Sequence, residues 1–387
     1  MKVAVLGAGM VGRAIAMDLA SRHHVTAFDV SNANLELLKK RNPRIETQQA
    51  DLLDYSSYPK NLSSFDIIVT AVPGFMGYKV LEASLNCAKN IVDISFFPED
   101  VLQLDKLAKE KGVTVITDCG VAPGMSNFIV GRYNEEMSEG PHPGIIDSLE
   151  IYVGGLPKVR KKPFQYKAPF SPADVIEEYT RPARLMENGH IIVRPALSDV
   201  EWIHFESLGT LEAFNTDGLR SLLYTMPHIK NQKEKTMRYP GHVDIIVSLK
   251  ESGFFDETPI DVNGPDGYRV KVSPLKVTSQ ILFNEWKLGL EEEELTVMKV
   301  KLVGKKDGES KAIEWSLLDF YDHETKISSM ARTTGYTCTA AVNLLTQNFF
   351  NEKGVFPPEL VGKHKNCFDF VIDYLKERKV NWIKKEF

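Results

Sequence analysis

Residues 2–20 read KVAVLGAGMVGRAIAMDLA. Val3 to Leu6 run without a polar interruption, the pattern of a strand buried on both faces of a parallel sheet. Gly7, Gly9 and Gly12 follow as G-x-G-x-x-G, and Ala14, Ile15, Ala16 and Leu19 then mark a helix. The first glycine permits a tight turn, the second lets backbone approach a pyrophosphate, and the third lets the helix pack on the strand. The helix N-terminus faces the negative charge. Strand, glycine turn and helix in this order predict a dinucleotide site, where the motif alone would be weak.

A second strand, HVTAFDV at 24–30, ends in Asp29 at the spacing expected for a carboxylate that holds ribose hydroxyls. The bland alternative is an aspartate capping the next segment. A carboxylate repels a 2′-phosphate, and Val30, Ser31 and Asn32 offer no arginine to receive one, so NAD is expected over NADP. Further strands follow as RIETQQADL, FDIIVTAVPG, NIVDIS and GVTVITDCG, with helical patterns such as GYKVLEASLNCAKN and PEDVLQLDKLAKEKG between most of them. This alternation predicts an α/β fold, a Rossmann doubly wound parallel sheet. Ligands in such sheets sit at the carboxyl ends of the strands. Those ends place Gly7, Gly9, Met10, Val11, Gly12, Asp29, Val30, Asp51, Leu52, Val72, Pro73, Gly74, Asp93, Ser95, Pro123 and Gly124 around the cofactor.

Composition bounds the rest. The 387 residues suffice for two domains, or for one with a large insertion. Hydrophobic residues make up 43% and charged residues 26%, an ordinary globular balance. A net charge of -5 gives no electrostatic footprint for nucleic acid, and the basic run at 158–162 reads as a solvated loop. Cys87, Cys119, Cys338 and Cys367 lie far apart, which fits a reducing cytoplasm and argues against disulfides and a structural metal site. No apolar stretch approaches the roughly 20 residues a bilayer requires, and the N-terminus begins a strand without a charged leader. A cytoplasmic protein with no membrane or nucleic-acid partner is expected.

Beyond about residue 125 the rhythm changes. SLEIYVGGLP, HVDIIVSLKESG and LTVMKVKLVGKKDG read as strands with alternating faces, and PADVIEEYTRPARLM and NTDGLRSLLYTM as helices. LEEEELT at 290–296 reads as a solvated acidic run. Two amphipathic helices, in GYTCTAAVNLLTQNFFNEKG and CFDFVIDYLKERK, close the chain. The expected organisation is a dinucleotide-binding domain at 1–124, an inserted α+β mixed-sheet substrate and dimerisation domain at 125–334, and helices at 335–387 that pack back on the first domain.

In order along the chain stand the opening glycine motif, TAVPG, VDISF, CGVAPGMSN, IYVGGLP, RYPGHVD, ARTTGYTCTAAV and GVFPPE. This set resembles the saccharopine dehydrogenase/reductase superfamily over nearly the whole chain, and the short form is most similar to the L-lysine 6-dehydrogenases. The resemblance implies a homodimer that uses NAD to oxidise the L-lysine ε-amine. The products would be 2-aminoadipate 6-semialdehyde, which cyclises to piperideine-6-carboxylate, with ammonia and NADH. The alternatives are a saccharopine reductase/dehydrogenase, a carboxynorspermidine dehydrogenase and, more remotely, a non-catalytic NAD-sensing protein. Saccharopine reductases usually read Gly-Leu-Asp-Pro-Gly followed by an Asp-His pair, where this chain has Ala122, Ser126 and Asn127. They also tend to carry an arginine for the glutamate arm, and FSPADVI puts Ala173 at that place. A missing guanidinium forfeits about 1.5–3 kcal/mol of charge-assisted bonding to a dicarboxylate arm.

Amine oxidation needs a base that titrates near neutrality, a cation for the substrate carboxylate and polar groups for the α-ammonium. His242 is the candidate base because histidine changes charge near neutral pH, with Asp93 as its rival. Arg238 and Arg332 are candidates for the carboxylate, with interdomain ion pairs as the alternative. Asn215 and Thr216, before Asp217, read as a helix N-cap that can also hold a polar substrate. Tyr179 and Arg181 complete the substrate set. The chain contains no Tyr-x-x-x-Lys, so the short-chain dehydrogenase proton relay is excluded.

Overall fold

A computed structural model describes residues 1–264 and 267–387. The first sheet has six parallel strands in chain order 3-2-1-4-5-6, extended by a seventh, Gly354–Phe356, which pairs in parallel with Thr114–Ile116. Its central strand, Lys2–Leu6, carries four fully buried residues and lies between His24–Asp29 and Ile67–Thr70. The order reverses beside this strand, so the carboxyl ends splay there and open a crevice. The expected doubly wound fold is present, and the seventh strand is an addition to the sequence reading.

The second sheet is mixed and nine-stranded. Its centre is the 13-residue strand Ile145–Pro157, parallel to Asn231–Arg238 on one side and antiparallel to Glu294–Lys306 on the other. Three sequence readings are corrected here. HVDIIVSLKESG forms the helix His242–Glu251, not a strand. NTDGLRSLLYTM is mostly loop, with only Leu222–Thr225 helical, so Asn215 and Thr216 are not its cap. Glu294, in the acidic run read as solvated, is 1% exposed and starts a core strand.

One buried cluster joins the two sheets. It contains Val5 and Val92 of the first, Ile151 and Val300 of the second, and Phe128 of the helix Met125–Ser138 between them. Residue 124 therefore lies within a continuous core, and the second sheet is entered at Ile145. The chain returns through the helix Ser329–Thr346, which packs along Met10–Leu19. Tyr374 Oη and Arg378 Nε then reach Asp18 at 2.6 and 2.7 Å. The final strand, Trp382–Glu386, goes back to the second sheet beside Glu309–Phe320. Among the described residues no helix is long and apolar enough to cross a membrane.

Candidate functional site

A cleft of about 650 Å³ runs along the carboxyl ends of the first sheet and under the second. At its outer end the three motif glycines differ in their reasons. Gly7 has φ +103°, and a Cβ there would sit 2.2 Å from the Ala71 carbonyl oxygen. A Cβ on Gly12 would fall 2.0 Å from the Gly7 oxygen. Packing therefore demands both. A Cβ on Gly9 would meet nothing within 4 Å, so the protein's own packing gives no reason for that glycine. It leaves open the space above the N-terminus of Met10–Leu19, whose first amides have no intrahelical acceptors. Asp29 is on the wall, its Oδ2 accepting from the Ala8 amide and its Oδ1 from the Ser31 amide, both at 2.7 Å. Val30 and Leu53, at least half exposed, give this end an apolar rim with Leu52. An open anion cradle, a carboxylate 17 residues beyond Gly12 and an apolar rim fit a pyridine dinucleotide.

Of the remaining cofactor residues, Met10, Val11, Asp51, Val72, Pro73 and Pro123 also line the cleft. Gly74, Asp93, Ser95 and Gly124 stand behind its wall. The Gly74 amide donates to Asp174 Oδ1 at 3.1 Å, and Gly124, at φ +139°, packs on the Gly120 backbone. The Asp93 carboxylate is fully buried and accepts from Thr70 Oγ1 at 2.6 Å and the Ser95 amide at 3.1 Å. Burial pushes it up to about 6. Asp93 thus braces the strand ends and does not face a substrate.

The inner end is acidic. Asp118, Asp174, Glu177, Glu178, Asp217 and Glu234 line it, with Arg181 and Arg238. Four of the carboxylates already hold arginines: Asp118 with Arg220 at 2.9 Å, Glu178 with Arg238 at 2.7 Å, Asp217 with Arg184 at 2.8 Å and Glu177 with Arg181 at 2.9 Å. Asp174 and Glu234 make no ion pair among the described residues. Burial pushes Asp174 up to about 6 and Glu234 up to about 8. Arg181 keeps one buried nitrogen, Nη1, without a partner, which suits it to receive a carboxylate.

Several predicted residues are placed elsewhere. His242 is 1% exposed and off the cleft, with Nδ1 2.9 Å from the Phe164 carbonyl and Nε2 2.9 Å from Tyr179 Oη. Burial and the neighbouring Arg238 charge hold it down to about 3, so the imidazole is neutral and the structure removes it from the role of base. Arg332 is bound to Asp319 at 3.0 Å and to the Phe320 and Arg378 carbonyls, in the joint between the last helices and the second sheet. Asn215 ends a strand and donates to Ser198 and Asp199. Tyr179 lies one layer back, accepting from Arg238 Nε at 3.1 Å. Thr216, Arg181 and Arg238 do line the cleft.

Glu234 is the residue that sequence reasoning passed over. Its signal was the strand period in NQKEKTMR: side chains alternate between faces. Lys233 and Lys235 go to Glu201 on one face, while Glu234, Thr236 and Arg238 meet the cleft on the other.

Residues 3–116 match the profile of the saccharopine dehydrogenase NADP binding domain, and residues 120–380 that of the saccharopine dehydrogenase C-terminal domain. The chain is 24% identical over 303 residues to alpha-aminoadipic semialdehyde synthase of Arabidopsis thaliana, covering 75% of this chain and 28% of that protein. It is 23% identical over 273 residues to the saccharopine dehydrogenase [NADP(+), L-glutamate-forming] of Schizosaccharomyces pombe, covering 68% and 60%. The chain therefore spans less than two thirds of either relative. The solved structure of apo saccharopine dehydrogenase (L-Glu forming) from Saccharomyces cerevisiae superposes with a TM-score of 0.79 at 19% identity, over 100% of this chain and 99% of that one. That agreement establishes the fold.

Proposed function

The chain belongs to the saccharopine dehydrogenase family, and from that premise we propose that it is an oxidoreductase of lysine metabolism that oxidises the ε-amine of free L-lysine with NAD. The observation that carries the substrate is the charge left in the inner cleft: among the described residues, four of its six carboxylates are matched by arginines, and Asp174 and Glu234 are not. L-lysine brings two ammonium groups and one carboxylate. Saccharopine brings three carboxylates, for which the cleft has a single unpartnered guanidinium nitrogen, on Arg181. Asp174 and Glu234 suit the ammonium groups, and Arg181 the carboxylate.

Bound NAD would accept the hydride from the carbon bearing the reacting nitrogen. The chain's own residues hold the amine and position the carbon for transfer. NAD is preferred because Asp29 occupies the ribose end of the cleft, and Arg13, the nearby cation, is buried with Nη1 on the Ala8 carbonyl at 3.0 Å. The second reading, saccharopine oxidation with NADP, is favoured by the relatives the chain resembles.

Purified protein is assayed with L-lysine, saccharopine and carboxynorspermidine, each with NAD and NADP. NADH and ammonia from lysine are expected. Oxidation of saccharopine alone would replace the first reading by the second, and turnover of no amine would remove the enzymatic reading. In the same assay Asp29→Ser is expected to weaken NAD about 10- to 100-fold and NADP little, from the loss of charge-assisted bonds. Equal losses would refute the ribose role.

A further inference from the structure

An ammonium has no lone pair with which to push hydride off its neighbouring carbon, so the reaction proposed above needs a base first. Resting on that reading, we propose that Glu234 is this base and that its carboxylate takes a proton from the reacting ammonium through Oε1. An N–H bond breaks, an O–H bond forms on Glu234, and the freed pair stays on nitrogen to support the carbon that loses hydride. Hydride loss leaves an iminium, one water adds to it to give the aldehyde and ammonium, and a separate solvent water carries off the proton held by Glu234.

The placement is specific. Glu234, Thr236 and Arg238 stand at alternate positions of the strand Asn231–Arg238 and face the same cleft. Arg238 is held by Glu178 and Tyr179, so one end of this row is fixed. At the other end Glu234 Oε2 accepts from Thr216 Oγ1 at 2.7 Å and from the Gly218 amide at 3.0 Å. A Cβ on Gly218 would lie 2.4 Å from this carboxyl, so the loop closes tightly over it. One oxygen is anchored. The other, Oε1, takes no hydrogen bond from the described residues and is directed by that anchor, the pre-organisation a proton transfer needs.

The charged groups around it are accounted for. Glu178 comes from the helix Pro172–Thr180 and is paired with Arg238 of the carboxyl's own strand. Asp217 and Arg220 come from the closing loop, paired with Arg184 and with Asp118. Asp174, Glu177 and Arg181 come from the same helix and its end, the last two paired together. Neighbouring Lys233 and Lys235 point to the opposite face. No cation is left for Glu234 among these, and the substrate ammonium is the missing counter-charge. Burial, with repulsion from Glu178 and Asp217, brings the carboxyl to about 8. An ordinary glutamate near 4.3 would be about six units too weak for an amine near 10.4, whereas this one is within two to three.

Glu234→Gln preserves the acceptor for Thr216 and Gly218 while removing the base. Its kcat with lysine is expected to fall about 10²- to 10⁴-fold, and the acid limb of kcat/KM near pH 8 to vanish. Glu234→Asp is expected to keep the limb at an intermediate rate. Unchanged NADH binding by fluorescence verifies that the variant is folded. A readout without turnover is infrared titration of the dinucleotide complex: buried Glu234 and Glu294 both ionise near pH 8 in the wild type, and Glu234→Gln is expected to keep only the Glu294 part of that carboxylic-acid band. An unaltered acid limb in Glu234→Gln, or no difference in that band, overturns the base while lysine oxidation by the wild type still stands. If the wild type oxidises no amine, the reaction itself is wrong, and the base falls with it.

Discussion

The imidazole of His242 sits among Tyr166, Tyr179, Trp286 and Phe164, with ring centroids 5.1, 5.7, 6.3 and 6.4 Å away. A carbonyl only accepts, so Nδ1 carries the hydrogen to Phe164 and Nε2 accepts from Tyr179. This residue type was legible as titratable, but its titration is set by burial that the local sequence does not encode. The folded value is held near 3, below the ordinary 6.5, so between those values the unfolded chain binds a proton that the folded one refuses. Its contribution is full above about pH 6.5 and is lost as pH falls towards 3. His242→Asn is accordingly expected to lose about 1–3 kcal/mol at pH 7, from the unpaired Tyr179 hydroxyl. It should also lose less further stability than the wild type when acidified to pH 5, and keep the acid limb of the rate profile. Urea denaturation at both pH values and a pH–rate profile measure these effects; a shifted limb would return His242 to the proton transfer.

At the scale of elements, the glycine corner was read well because the pattern that marks it, strand, glycines and helix, is contiguous in the chain. Gly7 and Gly12 are required by the approach of neighbouring backbone, whereas a Cβ on Gly9 would meet nothing of the protein within 4 Å. These reasons separate experimentally. Gly12→Val is expected to prevent folding to soluble protein, whereas Gly9→Val should retain wild-type thermal stability and lose dinucleotide binding in a fluorescence titration. Equal damage to the fold by both would refute the distinction. The helix His242–Glu251 was misread for the opposite reason. Its run Val-Asp-Ile-Ile-Val is β-branched and favours a strand. A tertiary cap overrides it: Gly241 takes φ +90°, and Glu212, from another strand, accepts the Gly241 and Val243 amides at 3.1 and 2.6 Å. The donors lie 29 and 31 residues from that carboxylate, beyond any helix-start signal. The seventh strand was missed because three residues carry no usable period.

Across the whole molecule, the two sheets are fastened at the cleft by Asp118, after the sixth strand, and Arg220, in the loop of the second unit. Both side chains are at most 4% exposed, and Arg220 lies 5.0 and 5.1 Å from the ring centres of Phe96 and Phe97. Removing one partner of such a pair strands a buried charge and costs about 3–5 kcal/mol. Arg220→Met should pay that cost in chemical denaturation, and Asp118→Asn with Arg220→Met markedly less than the sum of the single changes. Additive losses would show that the pair does not couple the sheets. The order of apolar strands, glycines and helices was sufficient for the α/β fold and the nucleotide end, since periodicity and turn chemistry act over a few residues. The segment after GVTVITDCG, where Pro123 and Gly124 were expected beside the cofactor, was legible in part: Gly120 to Pro123 wall the cleft and Gly124 stands behind it. The substrate end depended on tertiary structure. Which of many arginines and carboxylates are paired, and which are left facing the cleft, follows from contacts between residues up to 102 apart in the chain. Asp118 and Arg220 neutralise each other while Glu234 is left without a cation, because charge balance in a buried site is a property of the assembled neighbours.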